Sequence, residues 1–483
     1  MCAKQSITSR AVILAGLFLL CLFTASNAFA YDYKVTEIQP LPGYTASRAM
    51  GINNLGEVVG RFYNLNPTTG EAINRKAFVW DPTNGAYLLP TLSGECSAWD
   101  INDNGFAVGY SYNASAKQRA VLWDLHVNTI DDIGALRNPT TGVYGGSSTA
   151  YGINNLDQVV GSADIPNNTN TFTPFHAFLD DTSGISDLGT LNTTMPEWQY
   201  GYSIAYCSNN NGQVVGIAQD TPWAGFIYDD ADGMRMLPKD PAHGDKEWYA
   251  VVINDSGLIG GHVIAGTNQS LPYYWPNEST APVKITMPTG FPYGEIYGIN
   301  ASGQMVGIMW SSDQAGATEH AFVFDTQNGV RDLNNLIDPA SGWVLHFARD
   351  INDRNQIAGY GELNGAKRGF FLSLLSDENK LACVFNSEGV FQWESGLWSQ
   401  LNAIDAESIV ASGSILYASF AGAGLHKWDG SRWTALHSVA PSNMTASGSA
   451  LYASFVGFGI HKWETGFWSQ ILPTDPEIMV VGF

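Results

Sequence analysis

Residues 150–161 read Ala-Tyr-Gly-Ile-Asn-Asn-Leu-Asp-Gln-Val-Val-Gly, and variants of this stretch return seven times before residue 360. The shared element Ile-Asn-x-x-Gly-x-x-x-Gly stands at Ile52-Asn53, Ile101-Asn102, Ile153-Asn154, Ile253-Asn254, Ile299-Asn300 and Ile351-Asn352, with a degenerate copy at Ser208-Asn209. Steps between successive Asn residues run from 45 to 55. A period of that size, with strand-type residues on both sides of a turn, is the sequence signature of a propeller blade. In each copy one strand ends on Ile, Asn opens a turn, and a second strand of the Val-Val-Gly type follows. Asn suits the opening because its carboxamide can accept a backbone N–H two residues on, and Gly takes positive φ at low cost. Asn53, Asn102, Asn154, Asn254, Asn300 and Asn352 are therefore expected to brace hairpins. A calcium-loop reading of tips such as Asn102-Asp103-Asn104-Gly105 fails, because no copy has the acidic density or the distal Glu of a twelve-residue calcium loop.

Working outward, each repeat next offers a short apolar strand ending in an aromatic and often an acid. The copies start at Ala77, Ala120, Ala177, Gly225, Pro272, Ala321 and Gly369. A fourth strand built around two Leu or Ile residues follows: Leu88 to Leu92, Ile133 to Leu136, Leu188 to Leu191, Met236-Leu237, Ile285 to Met287, and Leu333 to Leu336. That is one too few for seven repeats, and the missing strand stands at the front, Tyr33 to Leu41. A chain that begins with the outer strand of a blade and ends with the inner three closes its ring by pairing its two ends, which removes exposed sheet edges. The reading for residues 31–375 is thus an all-β, seven-bladed β-propeller closed by the N-terminal strand. Small residues before the turn (Ala49, Ala98, Ala150, Ala205, Ala250, Ala348) suit the crowded ground where blades converge.

The alternation of Ala-x-x-Ile-Asn-x-x-Gly-x-x-x-Gly with Ala-Phe-x-x-x resembles the bacterial extracellular HAF-type repeat family, and His176-Ala177-Phe178 and His320-Ala321-Phe322 carry the tripeptide that names it. The resemblance covers about residues 31–375 and implies secretion and a repeat scaffold without an assigned reaction. Ser208 in place of Ile, Asn355 in place of the turn Gly, and Pro272-Tyr273-Tyr274 in place of Ala-Phe depart from the pattern.

Compartment is legible at the N-terminus. Lys4 and Arg10 precede a mostly apolar run, Ala11 to Phe23, and Ala28-Phe29-Ala30 offers small residues where a signal peptidase cuts. Residues 1–30 read as a signal peptide cleaved near Ala30, leaving a secreted, periplasmic or cell-surface chain. The run is short for a bilayer span. Its removal takes away two positive charges and moves the formal net charge from −22 to −24, which argues against nucleic acid as a partner. Of the cysteines that remain, Cys96 and Cys207 fall in different repeats before the Asn turn and read as two free buried thiols. Cys383 lies beyond the repeats, and its pairing is left open.

After a polar bridge, residues 376–380, a second period takes over in residues 381–483. Trp393, Trp428 and Trp463 share one register and Trp398, Trp433 and Trp468 another, both with a 35-residue step. The fullest copy runs Leu416 to Phe420, Gly424 to Trp433, Thr434 to Leu436 and Met444 to Gly448. With Gly430-Ser431 as a two-residue turn, Trp428 and Trp433 become a cross-strand pair. These three repeats form a small β module, a partial propeller, and Met479 to Gly482 begins what looks like a fourth copy. They resemble tectonin-like short-blade propellers. One reading of the tryptophans is a core pair. The other is a glycan platform of Trp428, Trp433, Trp463 and Trp468 helped by His426 and His461, although Gln392 replaces the His in the first copy. Pairing of two such modules into a homodimer would cover their open edge.

No nucleophile elbow, His-Glu-x-x-His, Cys-x-x-Cys or phosphate loop is present, and no cofactor or metal is implied. His176 and His320 recur in register, as do Asp81, Asp124 and Asp229, which sit where a strand meets its turn and can cap it. The function expected is that of a secreted, non-enzymatic binding or scaffold protein for an unknown protein or glycan, working through loops such as Asn64–Ile73, Ile165–Thr173, Asn192–Tyr202 and Ser311–Glu319. Alternatives are a lectin using the Trp repeats, and a propeller lyase or hydrolase with an axial site.

Overall fold

The structure is a computed structural model that describes residues 32–138, 142–165, 174–181, 183–191, 201–220, 222–375, 381–385, 389–394, 397–402, 404, 406–412, 415–428, 433–447, 450–456, 458–464 and 467–472. The segment expected to be a signal peptide, the 376–380 bridge, the Gly430-Ser431 turn, the Met479 to Gly482 copy and most of the Ile165–Thr173 and Asn192–Tyr202 loops lie outside these residues. The chain divides into two compact units, Tyr33–Ser373 and a second one that contains residues 374–483. Both are all-β. Helical structure among the described residues amounts to three short 3-10 turns, Pro241–His243, Leu333–Asn335 and Pro339–Ser341. No described helix is long and apolar enough to cross a membrane.

In the first unit, six four-stranded antiparallel sheets follow one another along the chain, the first made of Ala46–Ile52, Val58–Leu65, Ala72–Asp81 and Gly85–Leu88. A seventh sheet is assembled from both ends. Tyr33–Ile38 is hydrogen-bonded beside Ala366–Leu374, followed by Ile357–Leu363 and Trp343–Ile351. Apolar side chains fill the space between neighbouring sheets. Ile38, Ala49, Ile52, Val58, Phe62, Phe78, Ala358 and Phe371 make one such core, and the inner-strand alanines that sequence placed at the point of convergence are packed in these layers.

The repeat motif has a local explanation. Each inner strand carries a β-bulge just before the Asn turn, with register shifts at Ala49/Gly51, Ala98/Asp100, Ala150/Gly152, Ala205/Cys207, Ala250/Val252, Ile296/Gly298 and Ala348/Asp350. A bulge sets two residues against one and re-aims side chains. It also accounts for the second glycine of the motif. A Cβ at Gly60, Gly109, Gly161, Gly216, Gly261, Gly307 or Gly359 would overlap a carbonyl oxygen of the adjacent inner strand, Arg48 O in the first case and Phe347 O in the last. The first glycine answers to φ instead, for example 85° at Gly56 and 77° at Gly105. Asp157 (61°) and Asn355 (59°) take the same left-handed conformation in the two repeats that lack it.

Two boundaries differ from the sequence expectation. The outer strands begin earlier, at Gly85–Leu88 rather than Leu88 to Leu92, and Leu333 to Leu336 is largely a 3-10 turn. The reason is the tightness of the preceding hairpin: Asp81 pairs directly with Gly85, so pairing starts at the turn glycine. In the second unit Met444 does not end the sheet of Trp428. Asn443–Ser447 opens the next sheet, with Ala450–Phe455, Gly459–Glu464 and Phe467–Leu472. The three sheets of this unit have three, four and four strands.

Candidate functional site

At one end of the first unit the seven turn asparagines form a circuit. Each Oδ1 accepts backbone N–H groups within its own turn, as Asn154 does from Leu156 and Gln158 at 3.0 Å. Each Nδ2 donates to the carbonyl of the next repeat's Asn: Asn53 to Asn102, on through Asn154, Asn209, Asn254, Asn300 and Asn352, and from Asn352 back to Asn53, at 2.8–3.3 Å. The following residues add a second, outer circuit in which the side chains of Asp103, Asn155, Asn210, Asp255, Asp353 and Asn54 accept a neighbour's backbone N–H. Ala301 has no acceptor and leaves the one break. These side chains are spent on holding repeats together.

Behind the asparagines lies a cavity of about 410 Å³. It is lined by the residue that follows the inner-strand alanine or its equivalent in every repeat: Met50, Trp99, Tyr151, Tyr206, Val251, Tyr297 and Arg349. The bulge turns this residue inward in all seven copies, and its chemistry differs from repeat to repeat, from Val and Met through Tyr and Trp to Arg. Trp99, Tyr151 and Tyr206 meet edge to face in sequence, at 6.0 and 5.8 Å between centroids. Arg349 lies over Tyr297 at 4.2 Å and over Trp99 at 5.9 Å. Adjoining it, Arg48 covers Tyr360 at 4.5 Å and Arg61 covers Trp99 at 5.9 Å. Arg48 and Arg61 are cross-strand partners.

The wall carries acids as well. Glu295 accepts from Tyr297 Oη and from Ser270 Oγ, with His262 Nε2 3.9 Å away. Burial pushes the His262 imidazole down, and His262 stacks on Tyr249 at 4.9 Å. Burial alone would raise Glu295, but His262, the two hydroxyl donors and Arg349 outweigh it and leave the carboxyl low. Asp100 and Asp350 occupy the bulge positions of the second and seventh repeats, where they accept the N–H of Ile153 and Ile52 in the following repeat. Burial raises both carboxyls, and the charge of Asp100 raises Asp350 further. Cys207 also lines the cavity, its thiol pushed up to about 12 by burial, which leaves it a poor nucleophile. Cys96 and Cys207 are both free, as expected, but only Cys96 is fully buried; Cys207, at the cavity wall, is half-buried.

The donors exceed their acceptors. Among the described residues, Nε of Arg48, Arg61 and Arg349, Nε1 of Trp99 and Nδ1 of His262 are buried without a hydrogen-bond partner, and none of the three guanidinium groups joins an ion pair there. Arg61 is lowered by its burial and by Arg48 beside it.

Residues 43–200 match the family described as Protein of unknown function (DUF3466). No curated protein matches the chain. Among solved structures, the chain is similar to the β-propeller domain of the Trilobed protease from Pyrococcus furiosus, at 13% identity and TM-score 0.38 over 60% of this chain and 83% of that one. It is also similar to a streptogramin B lyase (9%, 0.41, 71% and 98%) and to the lectin of Aleuria aurantia (11%, 0.36, 59% and 94%).

Residues singled out by sequence fall elsewhere. His176 and His320 each donate from Nδ1 to an acid of the neighbouring outer strand, Asp187 at 2.9 Å and Asp332 at 2.6 Å, the same cross-strand register that holds Arg119 to Asp132. Asp81, Asp124 and Asp229 accept backbone N–H groups of their own turns. In the second unit Trp428 pairs with Trp433 and Trp463 with Trp468 across strands. Trp428 and Trp433 pack on Val390, Leu416, Ala418 and Phe420, and Trp463 and Trp468 on the core around Tyr417 and Leu451. His426 and His461 lie edge-on to Phe420 and Phe455. The sequence reading missed the cavity residues. Their signal was a variable, mostly aromatic position one residue after the alanine it did notice.

Proposed function

We propose that residues 31–375 form a closed seven-bladed propeller of the HAF-type repeat class, secreted and non-enzymatic, that binds a small ligand in its axial cavity. One observation carries the reading: a single backbone position, presented to the axis by the same bulge in seven repeats, bears Met50, Trp99, Tyr151, Tyr206, Val251, Tyr297 and Arg349. Repeat register alone would favour sameness there, as it does at the asparagines three residues on. Aromatic walls with a few charged groups are what ligand sites of this size class use. The cysteine at the cavity is held as a thiol, and the carboxylates of Asp100 and Asp350 are occupied by backbone N–H groups, which favours binding over chemistry. The Trp repeats of residues 381–483 then serve as an attached structural module.

Filling the cavity tests this. Val251→Trp should abolish thermal stabilisation by compounds that raise the melting temperature of the unaltered protein. Stabilisation that survives the substitution, by the same compounds at the same concentrations, would place binding elsewhere.

A second reading, an axial lyase or hydrolase, is favoured by His262 and Glu295 facing each other at 3.9 Å. It requires Glu295→Gln to abolish a turnover that the unaltered protein displays, with ligand affinity retained.

A further inference from the structure

Building on the axial-binding reading, we propose that the ligand is an acidic ring compound of sugar size, whose carboxylate or phosphate group sits among Arg48, Arg61 and Arg349 while its ring lies against Trp99 and the tyrosines beside it. The chain as a whole is strongly acidic, with a formal net charge of −22, yet three guanidinium groups converge here without one ion pair among the described residues. Each is held over an aromatic face, at 4.5 Å for Arg48 on Tyr360, 5.9 Å for Arg61 on Trp99 and 4.2 Å for Arg349 on Tyr297. Such faces fix a guanidinium plane while leaving its edge free to bond.

Cations buried together repel one another, and their cost is offset only by an opposite charge or by acceptors that meet their N–H groups. Elsewhere in the unit that compensation is supplied by the protein: Arg75 meets Glu95 at 2.9 Å, Arg119 meets Asp132 at 3.0 Å and Arg368 meets Glu37 at 2.7 Å. The carboxylates nearest the trio reach it only at a distance: Arg349 helps to hold Glu295 low and acts on Asp350 in the same sense, but among the described residues neither forms an ion pair with it. Glu295 takes up Tyr297 Oη, Ser270 Oγ and the field of His262, and Asp350, adjacent in sequence to Arg349, accepts from Ile52 and Ile351. The donors left over (Nε of the three arginines and Nε1 of Trp99) call for a partner that is rich in acceptors and negatively charged. Arginine forks match the planar carboxylate and the phosphate group alike.

Isothermal titration of the full chain with digalacturonate, glucose 6-phosphate and neutral cellobiose tests the assignment and separates the two anion types. At least one acidic sugar should bind ten-fold or more tightly than cellobiose, with an affinity that falls as salt is raised. Arg349→Gln and Arg61→Gln should each bring that ratio close to one, and Arg349→Lys, which keeps charge and loses the fork, should fall between. Cellobiose binding as tightly as both anions, and lost in Val251→Trp, would overturn the anion assignment and leave the axial site standing. Absence of binding by all three probes would overturn the assignment of an acidic sugar. Any binding indifferent to Val251→Trp would overturn the axial reading too. Because Arg61→Gln removes a charge next to Arg48, its melting temperature in anion-free buffer should not drop below that of the unaltered protein. A large drop would show that Arg61 serves the fold and not a ligand.

Discussion

The asparagine circuit allows a matched pair of substitutions to test whether the first and last repeats are joined as tightly as any two neighbours. Asn154 lies between the third and fourth repeats and Asn352 between the seventh and the first. Their surroundings are nearly the same. Oδ1 of each accepts two backbone N–H groups at 3.0 Å, Nδ2 donates to the next repeat at 2.8 and 2.9 Å, and the Gln side chain four residues on accepts at 2.8 Å from each. They are 5% and 4% exposed. Replacement by Ala strands two backbone N–H groups; the carbonyls of Asn209 and Asn53 keep the N–H of Gly212 and Gly56 in their own turns, and the Gln side chain can turn to water. At about 1 kcal/mol for each buried group left without its bond, the loss is about 2 kcal/mol, with a range of roughly 1–4. That lowers the folding equilibrium constant by roughly 30-fold. Urea denaturation followed by near-ultraviolet circular dichroism should show the midpoint falling by the same amount in Asn154→Ala and Asn352→Ala, with the slope unchanged. A loss below about 1 kcal/mol for Asn352→Ala, beside a full loss for Asn154→Ala, would refute the closed circuit.

Three further outcomes follow from particular groups. A carboxyl raised in the folded state keeps a proton that the unfolded chain releases, so the stability it confers is full below the ordinary carboxylate range and is lost as pH climbs through the raised values; with Asp100 and Asp350 both raised, the unaltered protein should lose stability between about pH 5 and pH 8, and Asp350→Asn should flatten that slope in denaturation measured across the range. Thiols that are buried or held protonated react slowly, so peptide mapping after brief treatment with a thiol reagent should leave buried Cys96 and half-buried Cys207, whose thiol is pushed up to about 12, unlabelled in the native protein and label both in denaturant. Trp428 packs on Phe420 and Leu416 and stands 5.5 Å from Trp433, so Trp428→Ala should destabilise the second unit by about 3 kcal/mol, read as a lower unfolding midpoint in tryptophan fluorescence.

Much of the fold was legible because the repeat announces itself through obligatory turn chemistry. Asn53 and its counterparts, the positive-φ glycines and the acids after each aromatic strand do locally what their residue types suggest. What sequence could not display was the partner of each Asn Nδ2, since that carbonyl lies 45 residues or more away in the chain. The bulge was equally hidden: Ala98-Trp99-Asp100 reads as an ordinary alternating strand, and only the cross-strand register shows that Trp99 turns inward. The same bulge explains the glycine of Val-Val-Gly, which sequence treated as part of a strand. The arginine cluster at the cavity was missed for a related reason. Arg48, Arg61 and Arg349 come from two strands of one repeat and one strand of another, so nothing in their spacing links them.

The most direct measurement is a crystal structure of the chain purified from its native source, without exchange of the solution components it carries. Density for a bound acidic molecule between Arg349 and Trp99, enclosed by seven sheets, is the predicted result. A ligand seated instead on the loops or on the Trp428 and Trp463 repeats, with the axial residues contacting only water, would contradict the account.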